Sequence, residues 1–452
     1  MGFTGHIKAL YYNITQTLFV CYNSISFCLF YAIKNKAILV GINLRRIPFY
    51  RALSFAIVVL VGAFLIYCCN KSRDNNVKKI IKVGILFPTS GSLADKGRDS
   101  VSGATLAIEE VNAAGGIRSL GGAVMEPVYG DTEGNPDKGA EETERLINKQ
   151  GVVAIIGTYQ SSVTKVATQV AERLETPFIV STSLADIITE RGFRYTFRIQ
   201  PKAEFYARDQ ARFLKGLYDD CGYKVKKVAL LHENTDFGTS TALAQKKILP
   251  EHGIKVLGCI TYSAKDARDL TKEVSKALAL RPDAIVAVTY LNDSILIRRA
   301  MLSLNADIPF LDTAGGTVSP EYVKTLGRLA DGTLTSSEYS KYAHGAKELN
   351  DRFLKRFGVD ITGDSAYAYQ AILVLKDALE RAGTLDKKRL RDAIAATDMP
   401  RGVNMILPAE RLRFNVNGEN EFCQLFICQI QKGELMPVWP KEFSVTKIIS
   451  RW

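Results

Sequence analysis

Hydroxyl groups gather at three points of the chain: Pro88-Thr89-Ser90-Gly91-Ser92, Gln160-Ser161-Ser162 and Ser181-Thr182-Ser183. Each cluster follows a short apolar run. Hydroxyls and amides with no general base, acid pair or metal ligand beside them can hydrogen-bond a polar molecule but have nothing to activate them as nucleophiles. The second half of the chain adds aromatic rings in similar places, Phe237 within Glu233–Gly238 and Tyr290 within Thr289–Asp293. Catalytic patterns are missing. The four histidines (His6, His232, His252, His344) include no HExxH and no paired spacing, so no metal is expected. There is no GxxxxGK[ST] phosphate loop and no GxSxG elbow, and PTSGSLADKG lacks the spacing of a dinucleotide cradle. Glu109-Glu110 reads as a solvated acidic pair. The inventory suits binding a small polar molecule, with no cofactor and no catalysis.

The elements that must position these groups alternate. Val152–Ile156 is an apolar run closed by Gly157, as in a strand buried on both faces. Val163, Val166, Val170 and Leu174 then recur at helical spacing, and Pro177–Val180 is the next buried strand. The Ser161 and Thr182 loops therefore lie at the carboxyl ends of neighbouring parallel strands, where open α/β sheets bind ligands. Helix starts there offer free N–H groups to an anion. The same strand–helix alternation runs from Ile80 to Val180 and restarts after Pro201, with strands expected at 227–232, 256–262, 284–288 and 310–312. A long helix is expected over Ser365–Ala382 and further strands over 412–414 and 422–430. The fold class is α/β, with two parallel-sheet lobes. At 452 residues, two cores are the natural arrangement.

The net charge of +12 is unevenly placed. Residues 1–69 hold six Lys or Arg and no acid, and the rest of the chain carries a net +6 with both signs interspersed. No nucleic-acid partner is indicated. Ala52–Cys69 is eighteen residues without a charge, preceded by Arg45, Arg46 and Arg51. Three readings stay open for this membrane or signal segment: a signal anchor, a secretory signal peptide, or a lipoprotein signal ending at Cys68 or Cys69. Each exports the bulk of the chain. Residues 1–44 are apolar but diluted by polar residues and are left out of the fold. The eight cysteines form no disulfide framework; Cys221, Cys259, Cys423 and Cys428 read as free, buried thiols.

The stretch VGILFPTSGSLADKGRDSVSGATLAIEEVNAAGGI, followed by DTEGNP, IIGTYQSS, PFIVSTS, FRIQP and DSAYAYQAI, resembles the leucine/isoleucine/valine-binding protein family. These are type I periplasmic solute receptors of ABC importers. The resemblance spans about residues 80–440. It implies two Rossmann-like lobes joined by three crossovers, with 80–201 and 337–420 in lobe one, 202–336 and 421–452 in lobe two, and a linker over 70–79.

The resemblance also implies a site. Ser161, with Ser162 beside it, takes the place of the serine that binds a ligand carboxylate. A plain helix cap is the alternative for Ser161. Thr182 and Ser183 match a backbone-contact pair. Leu184 stands where the family has a second carboxylate-binding threonine, so that hydroxyl is lost, although the Leu184 N–H remains and Ser183 could substitute. Lys96 replaces a cleft aromatic and would favour a second carboxylate, or is a solvated loop lysine. Phe237 replaces a tyrosine. Tyr290 matches a second aromatic or is core filler. The acid expected to pair with a ligand ammonium falls on Ala314, with Asp312 close enough to take over. The implied function is an extracytoplasmic receptor that captures an amino acid or related carboxylate or amide and delivers it to importer permease subunits. The alternative is a membrane-anchored sensing module signalling to a partner protein.

Overall fold

A computed structural model describes residues 79–452 apart from 344, 345, 403 and 451. The expected membrane or signal segment, and all of the linker but Lys79, lie outside the described residues. Two α/β lobes, each built on one sheet, account for the strands except for a small β11–β12 ribbon.

In chain order the first lobe begins with β1 (Ile80–Phe87), α1 (Ala94–Ala113), β2 (Val124–Asp131), α2 (Pro136–Glu144), β3 (Ala154–Gly157), α3 (Ser161–Arg173), β4 (Phe178–Val180) and β5 (Thr196–Arg198). Its five strands are parallel, in the order β2-β1-β3-β4-β5. The second lobe follows: α4 (Ala203–Cys221), β6 (Lys227–Glu233), α5 (Asp236–Glu251), β7 (Lys255–Tyr262), α6 (Thr271–Ala279), β8 (Ala284–Val288), α7 (Leu291–Ser303), β9 (Phe310–Thr313), α8 (Pro320–Leu326) and β10 (Leu334–Ser337). The chain then returns to lobe one with α9 (Ala346–Phe357), α10 (Gly363–Ala382), α11 (Lys387–Ala395), β11 (Asp398–Pro400) and β12 (Arg411–Arg413). It ends in lobe two with β13 (Phe426–Gln431) and β14 (Glu434–Trp439).

The chain thus passes between the lobes three times, near residues 199–203, 338–346 and 414–425. Both sheets reverse strand order at their first strand. β1 lies between β2 and β3, and β6 between β7 and β8. Such a reversal leaves a crevice beyond the carboxyl ends of the strands.

The second sheet is not wholly parallel. β13 and β14 add antiparallel strands beside β10. Lys432 and Gly433 join them, both at positive φ, as a tight two-residue hairpin requires. Lobe one is closed on one face by α1 against α10. Gly103 makes that approach possible, since a Cβ there would lie 1.9 Å from the Ser365 carbonyl oxygen. Thr362 caps α10 by accepting from the Ser365 N–H, and Gly383, at φ 58, ends the helix. Of the four described cysteines, all free, Cys428 is buried and Cys259 is exposed; sequence reading had placed all four inside. Cys423 precedes β13, so it does not share a strand with Cys428. Among the described residues no helix is long and apolar enough to cross a membrane, and no cluster could hold a metal ion.

Candidate functional site

The strand ends of both lobes meet around a narrow cavity of about 30 Å³. Lobe one contributes Tyr159 and Ser161 after β3, and Thr182 and Leu184 after β4. Lobe two contributes Phe237 after β6, Tyr290 after β8, and Ala314 and Gly315 after β9. Two contacts tie the lobes together beside it: Lys165 Nζ lies 2.7 Å from Asp236 Oδ2, and the Asp186 N–H donates to Ser240 Oγ at 3.0 Å.

Four helices begin near this cavity, and three of those starts already hold a carboxylate. At α5, Glu233 accepts from the N–H groups of Thr235 and Gly238 at 2.6 and 2.5 Å, and Asp236 sits in the first turn. At α7, Asp293 accepts from the Tyr290 N–H at 3.0 Å. At α10, Asp364 sits in the first turn and Thr362 donates to Asp99. The first turn of α3 has no acid, and its N-cap residue, Gln160, makes no side-chain cap bond. The partial positive charge and N–H groups of α3 are therefore left for an anion from elsewhere.

Ser161 is the first residue of α3 and not its cap, which sets aside the plain-cap alternative. Its Oγ accepts from the Ala185 N–H at 3.2 Å, so its O–H can still donate into the cavity. Thr182 also faces the cavity. Its hydroxyl donates to the Thr158 carbonyl at 2.5 Å and its oxygen remains able to accept. Ser183 does not face the cavity. It is buried in a hydroxyl network with Thr164 and the Tyr159 carbonyl (3.0 Å), where it holds the two loops together and cannot stand in for the hydroxyl missing at Leu184. Ser162 lies outside the cavity wall. Leu184 packs with Phe237 and Ala314 in the core of lobe two, so it seals the cavity with an apolar side chain.

Phe237 and Tyr290 form a tilted pair with centroids 5.4 Å apart, on the lobe-two wall of the cavity and not in a remote core. Ala314 is buried at φ 47, and Gly315 follows at φ 56, where a Cβ would meet the Thr289 carbonyl at 2.2 Å. The backbone therefore passes close to the cavity with no side chain long enough to bond a ligand.

Asp312 does not take over the acidic role. It is fully buried away from the cavity and accepts from Thr289 and Thr317, each at 2.8 Å. Burial pushes its carboxyl up to about 7. Lys96 also departs from expectation. It is neither a solvated lysine nor a free cation for an acidic ligand, because its Nζ lies 3.2 Å from Asp364 Oδ2. Burial opposes the Lys96 charge, but Asp364 and Asp99 outweigh it and hold the ammonium above its ordinary value. Lys96 lines a wider cavity of about 580 Å³ next door, which shares Val318, Glu338 and Asp364 with the narrow one.

Sequence reading missed Tyr159, Gln200, Val318, Glu338 and Asp364 on the cavity wall. Gln200 and Asp364 lie within FRIQP and DSAYAYQAI, motifs that carry the resemblance but to which it assigns no site role. Glu338 gave no signal; it lies in the second crossover. Burial, then the neighbouring Asp364 charge, pushes the Glu338 carboxyl up to about 7, and the same two causes push Asp99 up to about 6.

The periplasmic binding protein family model matches residues 80–434. The chain is 29% identical over 402 residues to Leu/Ile/Val-binding protein homolog 8 of Brucella suis biovar 1 (strain 1330), covering 86% of this chain and 98% of that one. Among solved structures it is similar to the branched-chain amino acid transporter substrate-binding protein LivJ of Streptococcus pneumoniae in complex with isoleucine. That match has a TM-score of 0.70 and 23% identity, and covers 79% of this chain and 98% of that one. It is also similar to an ABC transporter solute-binding protein from R. palustris in complex with benzoate, with a TM-score of 0.69 and 21% identity, covering 79% and 95%. With that model matching most of its length over the two-lobed fold just described, the chain belongs to the periplasmic binding protein family.

Proposed function

We propose that this protein is an extracytoplasmic receptor for a small carboxylate-bearing solute, an amino acid or a close relative, which it hands to the membrane subunits of an ABC importer. The observation that carries this reading is the start of α3. Of the four helix N-termini described around the cavity, it alone carries no acid of its own, and the Ser161 hydroxyl, free to donate, stands there. Isoleucine and benzoate, held by the two solved neighbours, share a carboxylate, the group this arrangement suits. Lobe one holds the anion. Lobe two closes over it with Phe237, Tyr290 and the backbone at Ala314–Gly315. A ligand that contacts both lobes favours the closed form, which is the form a transporter can distinguish from the empty receptor. No side chain on the wall forms a nucleophile–base pair, so the site binds and releases its ligand unchanged.

Isothermal titration of the full chain against amino acids, amides and small carboxylates tests the reading. A saturable carboxylate ligand is expected, weakened in Ser161→Ala. A panel in which no carboxylate binds would overturn it.

A further inference from the structure

The narrow cavity has a second pole. Gln200 is 2% exposed and lines the wall, and its Oε1 has no hydrogen-bond partner among the described residues. Its orientation is dictated by its neighbours. Tyr206 O–H donates to Glu338 Oε2 at 3.2 Å, so the phenol oxygen can only accept from Gln200, and Gln200 Nε2 fills that role at 2.9 Å. While Glu338 is ionised the amide cannot turn over, and Oε1 is left as a bare acceptor. Glu338 (5% exposed) and Asp364 (6% exposed) stand on the same wall. With Asp99 behind them, three carboxylates share one fixed cation, Lys96. A buried acceptor without a donor and carboxylates in excess of cations both carry a cost that an incoming donor-rich cation removes.

We propose that Glu338, Asp364 and Gln200 Oε1 form the seat of a ligand ammonium, so that the solute is a zwitterionic amino acid and not a simple carboxylate. This rests on the receptor reading above, in which α3 holds the carboxylate. It moves the ammonium from the end of β9, where Ala314 offers no acceptor side chain, to the second crossover and the start of α10. Val318, Glu338 and Asp364 line both this cavity and the 580 Å³ cavity beside it.

The test compares the twenty L-amino acids with their des-amino counterparts, the carboxylic acids that keep the side chain and lack the amino group, by titration calorimetry of the full chain at pH 8. The best amino acid should bind at least about tenfold more tightly than its des-amino partner. Glu338→Gln and Asp364→Asn should each shrink that ratio severalfold, and Gln200→Met should also shrink it, so the test survives if one variant fails to fold. The ratio is the informative readout, because a loss of cavity shape alone weakens both members of a pair together. A des-amino acid that binds as tightly as its amino acid overturns the ammonium seat and leaves the receptor reading standing. Binding of neither series overturns both.

Discussion

The loop that carries Thr182 and Leu184 is held from below by one fully buried arginine. Arg198, at the end of β5, donates to Glu419 Oε2 from Nε at 3.0 Å and from Nη2 at 2.5 Å, and to the Ala185 carbonyl from Nη1 at 2.7 Å. Thr189 joins the group by donating to Glu419 Oε2 at 2.7 Å. Glu419 belongs to the third crossover, so this pair fixes the loop that carries Thr182 and Leu184 to that crossover. Glu419→Gln leaves a guanidinium in the interior without the carboxylate bonded to it, with Asp186 near but not hydrogen-bonded to it, and sets an amide NH₂ against its N–H groups. Breaking a buried pair from one side costs roughly 3–5 kcal/mol, and Arg198 cannot shed its proton to relieve this. Arg198→Met should cost less, because the orphaned Glu419 keeps Thr189 as a donor. Removing both, as in Arg198→Met with Glu419→Leu, should cost clearly less than the two single changes added together. Urea unfolding followed by far-ultraviolet circular dichroism gives all three values, and ligand titration should show a weakened site in each variant. A Glu419→Gln loss below about 1 kcal/mol, or strict additivity in the double variant, would refute the assignment of this pair as the anchor of the loop.

Ser161→Ala removes the acceptor for the Ala185 N–H and a donor to the ligand; affinity should fall about tenfold with little change in thermal midpoint, measured by titration and calorimetric melting. Gly103→Val forces a side chain onto the Ser365 carbonyl, 1.9 Å from the nearest Cβ position, and should lower the unfolding midpoint by several degrees or prevent folding; a wild-type melt would show that α1 and α10 can separate cheaply. Asp312 has a folded pKa raised by burial to about 7, so its contribution to stability is full below about pH 4 and drains away as pH rises through 7. Asp312→Asn removes that titration, so relative to wild type the variant should gain stability between pH 5 and pH 8 in urea melts; a constant offset across that range would count against it. Lys165→Met breaks a half-exposed interlobe ion pair, and at roughly 0–1 kcal/mol it should change ligand affinity by no more than about fivefold.

The framework was legible because its signals are local. Ala284–Val288 was bounded correctly as a strand, since a short apolar run ending at a turn has few other ways to be buried. Ser161 and Thr182 were legible for a related reason, because strand ends in a parallel sheet fall on one edge. The misses have a different origin. Ser183 and Thr182 are adjacent and chemically alike, yet only Thr182 faces the cavity, and the backbone turn that separates them leaves no trace in composition. Asp312 looked available because it is two residues from Ala314, but along a strand that spacing says nothing about the Thr289 and Thr317 hydroxyls waiting for it. Lys96 and Asp364 lie 268 positions apart, so their pairing depends on α1 meeting α10, a contact no periodicity encodes. β13 and β14 add antiparallel strands to an otherwise parallel sheet because the Lys432-Gly433 turn folds the chain back on itself, a feature of two residues within a 452-residue pattern.

The polar residues of the crossovers connect these observations. Gln200, Glu338 and Glu419 belong one to each passage between the lobes, and each is buried. Tyr206, from lobe two, bonds both Gln200 and Glu338, so the first two crossovers are linked through a single phenol. A crossover that only had to bend would do so more cheaply with apolar side chains, since each buried polar group must find a partner or carry a desolvation cost. Here the partners are shared between hinge and cavity. A ligand ammonium on Gln200 and Glu338 would satisfy the hinge in the same step that it fills the site, and the closed arrangement of the crossovers would be complete only with ligand present. Domain closure would then depend on the chemistry of the ligand and not merely on its size. A carboxylate of matching shape but without an amino group would occupy lobe one and still leave the lobes free to reopen.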